Sequence, residues 1–113
     1  MKPGVGYWCN IGGNDTLVGN YDLWPEPGFV PPSVVLIGQS WNLIGHWHTY
    51  YQPASTSSGG ALANLGDTDI GSLWRYNTGG GYTNIMVGNQ NMEPGEGYWV
   101  FIKSSSNPQY APS

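Results

Sequence analysis

The chain has 113 residues, with only three Lys and Arg against seven Asp and Glu, for a formal net charge of −4. This balance excludes a nucleic-acid binder, which needs a basic footprint to neutralise phosphates, and a basic amphipathic membrane helix. A single cysteine excludes an internal disulfide framework, and no stretch stays apolar long enough to span a bilayer.

What remains is rich in turn formers and in aromatics with a polar handle: 18 Gly, nine Pro, six Trp and eight Tyr against two Phe. Such aromatics suit strands and half-wet surfaces. In chain order, strands are expected near 6–11 and 16–23. WPEPGFVPP, residues 24–32, lacks several of the N–H groups a ladder needs and reads as an extended surface connection. Strands follow near 33–37 and 40–50. QPASTSSGG, residues 52–60, reads as a flexible polar loop, and ALANL at 61–65 as the one place for a helical turn or two. Strands near 71–77 and 82–87 are joined by NTGGG, where glycine supplies the positive φ that a hairpin connection demands. A last strand covers 97–102, and SSSNPQYAPS, residues 104–113, reads as a flexible, linker-like tail. The expected fold class is all-β: a small antiparallel β-sandwich or barrel of about seven short strands, with at most one short helix near 61–65.

The chain repeats itself. MKPGVGYWCNI at 1–11 and MEPGEGYWVFI at 92–102 agree at seven of eleven positions, including Pro-Gly and Gly-Tyr-Trp. Each Pro-Gly predicts a type II turn that launches the following strand. Alternation then places Tyr98, Val100 and Ile102 on one face, opposite Trp99, Phe101 and Lys103. In the first copy Tyr7, Cys9 and Ile11 share a face, so Cys9 takes the place of Val100 and reads as a small buried hydrophobe. Met1 has a counterpart in Met92, which favours reading the chain as a piece of a longer repetitive protein.

SWNLIGHW at 40–47, LWRYN at 73–77 and NMEPGEGYWVFI at 91–102 stand in a distinctive order. Together they resemble a repeat module of archaeal and bacterial secreted and cell-surface proteins, whose usual pattern is GWNLIG, then a W-x-Y strand, then MEPGKGYW. The chain departs from it at Ser40, where glycine is usual, and at Glu96, where lysine is common. The resemblance implies a full module over 33–103, preceded by closing strands of another repeat at 1–23, the Pro-rich connection at 24–32 and the tail at 104–113. It also implies an extracellular location, tandem arrangement and no catalytic role. A module needs only one GYW strand, so the surplus copy seeks a mate, in a neighbouring repeat or a second chain. The residues expected to carry that strand pairing are Gly6, Tyr7, Trp8, Cys9, Ile11, Tyr98, Trp99 and Val100.

Other constellations are weaker. His46 and His48 project to one face of a strand, but a zinc site needs three or four ligands, and no partner set is spaced to supply them. GDTD at 66–69 lacks a calcium-loop spacing and reads as a turn in which Asp side chains accept backbone N–H bonds. Glu93 and Glu96 flank the Pro-Gly turn, and their counterparts are Lys2 and Val5, so they do not read as a catalytic pair. No cofactor motif is present, and the sequence reads as non-enzymatic. Asn14 begins a sequon, Asn-Asp-Thr, and the Ser/Thr run at 55–58 is a further acceptor segment for sugars.

The aromatics remain. The resemblance implies that Trp41, Trp74 and Trp99 are core residues of the module. Trp24, Trp47, Tyr50 and Tyr51 are then the surface candidates for stacking on sugar rings. The leading expectation is a structural surface module that self-assembles or docks with neighbouring repeats through strand pairing, in an envelope layer, stalk, filament or adhesin. The alternative is a carbohydrate-binding module, and a weaker third is a viral capsid or spike component.

Overall fold

The computed structural model describes Gly6 and residues 33–88 and 90–112. Among these residues the fold is all-β, with eight short strands and no helix: β1 (Val34–Val35), β2 (Ser40–Gly45), β3 (Gln52–Pro53), β4 (Ile70–Tyr76), β5 (Tyr82–Asn84), β6 (Asn91–Met92), β7 (Gly97–Ile102) and β8 (Gln109–Tyr110). All pairings are antiparallel. A four-stranded sheet has the order β2-β7-β4-β5, and two ribbons, β1-β8 and β3-β6, complete the ladder. The strands expected at 16–23, most of 6–11 and the connection at 24–32 lie outside the described residues.

β7 organises the large sheet, because its alternation is the cleanest in the chain. Tyr98, Val100 and Ile102 are fully buried, whereas Trp99 and Phe101 on the other face are only partly so. β7 pairs with β2 on one side and β4 on the other, which sets Ile44 beside Tyr98 and Leu73 beside Val100. These inner-face side chains merge with Leu36, Leu62, Leu65, Ile85, Met92 and Tyr110 into one core, with Trp47 packed against it. The arrangement is sandwich-like: one sheet face looks inward and the other outward.

The turns follow their chemistry. Gly95 has φ +80° and the Glu96 N–H donates to the Glu93 carbonyl at 3.3 Å, which is the expected type II turn ahead of β7. The β4–β5 hairpin closes through Asn77 N–H to Gly81 O at 2.9 Å, with Gly80 and Gly81 at positive φ. β5 ends early because the Asn84 side-chain oxygen accepts the Met86 N–H at 3.1 Å, turning the chain after 84.

Residues 61–65 form turns, within the expectation of at most one short helix there: Ala63 N–H bonds Gly60 O and Leu65 N–H bonds Leu62 O, each three residues back. Two expectations need correcting. Residues 52–60 are not a free polar loop. Gln52 and Ala54 are buried, β3 pairs with β6, and the Pro53 and Ser55 carbonyls accept N–H bonds from Ala61 and Leu62. The segment at 104–112 is no loose tail either. It contributes β8, whose Tyr110 is completely buried and donates its hydroxyl to the Gly45 carbonyl at 2.9 Å. One aromatic anchor outweighs the polar, proline-containing composition around it.

Candidate binding face

The outward face of the large sheet is where aromatic side chains collect. Cross-strand partners share a face, so the register can be read as rows. Trp41 on β2 stands opposite Phe101 on β7, which stands opposite Ser72 on β4. The next row holds Leu43, Trp99, Trp74 and Asn84, one from each strand. At the level of the Gly45–Gly97 pair come Tyr76 and Tyr82. Trp41, Trp74, Tyr82 and Trp99 line a shallow concavity of about 530 Å³ on this face.

Local contacts fix these rings. The Trp74 indole N–H donates to Ser72 Oγ at 2.8 Å, two residues back on the same face. Trp41 and Phe101 meet with centroids 5.1 Å apart and planes tilted by 57°, and Tyr76 meets Tyr82 edge-on at 5.3 Å. Gly71, at the bulge in β4, makes room for Phe101: a Cβ there would fall 2.9 Å from the Phe101 ring. About half the surface of Trp41 and of Tyr82 is exposed. Trp41, Trp74 and Trp99 are therefore not core residues, contrary to what the resemblance implies. The physical reason is the strand period: Leu73, Tyr98 and Val100 already occupy the inner face, so their chain neighbours Trp74 and Trp99 must point outward.

The carbohydrate candidates named from sequence fall elsewhere. Trp47 is half-buried, its ring 5.3 Å from Tyr110, and its indole N–H is buried with no protein partner. Tyr50 and Tyr51 are exposed, with Tyr50 stacked on His48 at 4.7 Å, but neither lines the concavity. Trp24 lies outside the described residues, as do Tyr7, Trp8, Cys9, Ile11 and the Asn14 sequon. Sequence reasoning missed the outer-face site, although alternation within LWRY and GYWVF was the signal that could have found it.

Of the strand-pairing set, Tyr98, Trp99 and Val100 sit on β7, which is paired on both flanks. Their backbone pairs inside the sheet and offers no free edge. Gly6 is placed against β2: its N–H donates to the Leu43 carbonyl at 3.2 Å. A Cβ on Gly6 would fall 2.6 Å from Leu43 Cγ, and one on Gly97 would fall 3.9 Å from Gly6 Cα. The two repeat-equivalent glycines thus lie near each other; at Gly6 only glycine leaves the space, whereas a Cβ on Gly97 would make ordinary contacts.

The polar constellations serve local structure. The Asp69 carboxylate accepts the Gly66 N–H at 3.2 Å, and Asp67 accepts from the Thr56 hydroxyl. The Tyr98 hydroxyl donates to Glu96 at 2.9 Å and accepts the Glu93 N–H at 2.7 Å, tying the Pro-Gly turn to the core. His46 donates its Nε2–H to the Tyr50 carbonyl at 2.7 Å, leaving Nδ1 buried without a partner. No group of three or more His, Cys, Asp or Glu is arranged to hold a metal among the described residues.

His46 carries a pH consequence. Burial, aided by His48 and opposed by the Tyr50 hydrogen bond, lowers its pKa below the ordinary value of 6.5. A folded-state pKa below the unfolded one means stability is fully present above about pH 6.5 and declines as pH falls below it. Thermal melts between neutral and mildly acidic pH are expected to show this decline in the native chain and a smaller one in His46→Gln. Equal declines in both would remove the histidine from the account.

These observations define a class, an antiparallel, sandwich-like β-domain with an aromatic outer face. Among the described residues no helix is long and apolar enough to cross a membrane. The chain matches no family model, no curated protein and no solved structure.

Proposed function

We propose that this chain is a non-enzymatic, extracellular carbohydrate-binding module whose ligand stacks on the outer face of the four-stranded sheet. The observation that carries the reading is the concavity lined by Trp41, Trp74, Tyr82 and Trp99. Indole and phenol planes take the C–H faces of sugar rings, while their N–H and O–H groups bond hydroxyls at the rim. Among the described residues the lining has no carboxylate, imidazole or thiol, so it suits binding rather than proton transfer or nucleophilic attack. The extracellular location rests on the resemblance of the WNLIG and MEPGEGYW stretches to a module of secreted proteins.

The test is native gel electrophoresis through neutral polysaccharides, comparing the native chain with Trp74→Ala and Trp99→Ala. Retardation of the native chain, and its loss in both variants with the fold intact by circular dichroism, is the expected result. Equal mobility of all three in every polysaccharide would end the proposal.

A second reading, a structural module that docks with its neighbouring repeat, is favoured by one observation: Gly6, from the first copy of the repeat, is seated on β2 beside its equivalent Gly97. It is compatible with the first, since neither Gly6 nor Gly97 lines the concavity. Light scattering of the chain across a wide concentration range tests whether copies associate with one another.

A further inference from the structure

The aromatic side chains of the outer face are not scattered over it. In the first row they stand on β2 and β7 (Trp41, Phe101), in the second on β7 and β4 (Trp99, Trp74), and in the third on β4 and β5 (Tyr76, Tyr82). Each row shifts the aromatic pair by one strand. The positions left off this band are small or non-aromatic: Ser72 in the first row, Leu43 and Asn84 in the second, Gly45 and Gly97 in the third. The result is an oblique aromatic track from one corner of the sheet to the other.

Its dimensions follow from strand geometry. Three inter-strand steps of about 4.8 Å and four residues along the strand at about 3.4 Å each give a diagonal of roughly 20 Å between Trp41 and Tyr82. That is several sugar rings long, and much longer than one ring. Among the described residues the positions beside the band carry no aromatic ring, so the stacking surface is confined to the band and an extended chain can follow it. The electrostatics select further. Among the described residues no carboxylate or basic side chain lines the concavity, and the whole chain carries a net charge of −4, which repels acidic polymers.

We infer that the track binds an extended, uncharged polysaccharide along its length, through internal segments of the chain rather than a terminal sugar. The inference rests on the carbohydrate-binding reading and adds ligand shape, charge and register to it. The two central indoles, Trp99 and Trp74, contact any bound oligomer. Trp41 and Tyr82 lie at the two ends and contact only oligomers long enough to reach them.

The experiment is calorimetric titration of the full chain with neutral β-1,4-linked gluco- and manno-oligosaccharides, from disaccharide to hexasaccharide. Affinity is expected to rise at least tenfold across the ladder. Trp99→Ala is expected to weaken every length by roughly tenfold, the cost of a buried aromatic contact. Trp41→Ala and Tyr82→Ala are expected to weaken the hexasaccharide several-fold and leave the trisaccharide unchanged, a length-dependent signature that general destabilisation does not produce. Binding that is independent of length, or equal effects of end and centre substitutions, overturns the track while leaving carbohydrate binding in place. Preference for an acidic polysaccharide such as polygalacturonate overturns the charge selection. Binding to none of these glycans, with self-association that Trp99→Ala abolishes, overturns both readings in favour of a second copy of the chain as the occupant.

Discussion

Tyr110→Ala is expected to remove about 3–5 kcal/mol of stability, the usual cost of emptying a buried aromatic site. A domain of this size holds only ~5–15 kcal/mol in all, so the variant should be largely unfolded at modest temperature or urea. The estimate follows from the place of the side chain. Tyr110 is completely buried, its ring lies 5.3 Å from Trp47, and its hydroxyl donates to the Gly45 carbonyl at the end of β2. The backbone around it is tied down as well: Leu36 N–H bonds Pro108 O at 2.8 Å, and Asn64 Nδ2 donates to the Ala111 and Pro112 carbonyls. Tyr110→Phe keeps the ring and leaves the Gly45 carbonyl without its donor, so it should cost on the order of 1–2 kcal/mol. Urea unfolding followed by tryptophan fluorescence separates the three proteins. A loss under about 1 kcal/mol for Tyr110→Ala would mean that the C-terminal segment is not part of the core.

That segment illustrates what was legible in the sequence. The large sheet was, because its strands carry the signals that local physics supplies: alternation in GYWVFI, glycines in NTGGG, Pro-Gly before β7. Of the ribbons β1-β8 and β3-β6, only β1 was, inside the strand expected near 33–37. Their strands are two residues long, too short for any period to register, and they exist because Tyr110, Met92 and Ala54 find places in a core assembled from distant parts of the chain. The polar stretch at 52–60 misled for a related reason. Its serines and glycines satisfy their backbone groups through neighbours, so a hydrophilic composition is compatible with a packed position.

The aromatic face was half legible. The sequence announces too many Trp and Tyr for a core of this size, but placing Trp41, Trp74 and Trp99 in the core conflicts with the simpler consequence of a two-residue period. Leu73 and Trp74, or Tyr98 and Trp99, cannot both face inward. Which member of each pair wins the interior is decided by fit: Leu73, Val100 and Tyr98 pack flush with their neighbours, and the bulkier indoles take the open side. The oblique pattern of the track could not be seen without register, since it depends on which residue of β2 faces which residue of β7. Register is a property of the assembled sheet.

The second large effect is expected in alkali. Stability should fall steeply above about pH 10, with two buried phenols together approaching a slope of about 2.7 kcal/mol per pH unit. Two phenols carry it. Burial raises the Tyr98 pKa well above the ordinary 10, with the Glu96 and Glu93 carboxylates adding to the rise and the Glu93 N–H hydrogen bond opposing it. Burial raises Tyr110 likewise, with Tyr98 nearby contributing. A folded-state pKa above the unfolded one means that the folded chain keeps protons which the unfolded chain releases. The associated stability is therefore whole below about pH 10 and is lost as pH climbs toward the folded values. Each group contributes about 1.4 kcal/mol per pH unit in that window. Tyr98→Phe and Tyr110→Phe should each halve the slope, and the double variant should flatten it, even though each single change lowers stability at neutral pH. Urea midpoints measured from pH 8 upward, with tyrosinate absorbance read in parallel, distinguish the two buried phenols from the exposed Tyr50, Tyr51, Tyr76 and Tyr82. If both buried phenols ionise while the chain remains folded, the hydroxyl of Tyr98 is not locked under the Pro-Gly turn and that of Tyr110 is not locked against β2. The core that holds the outer aromatic face in register would then be looser than the hydrogen bonds at 2.7–2.9 Å imply.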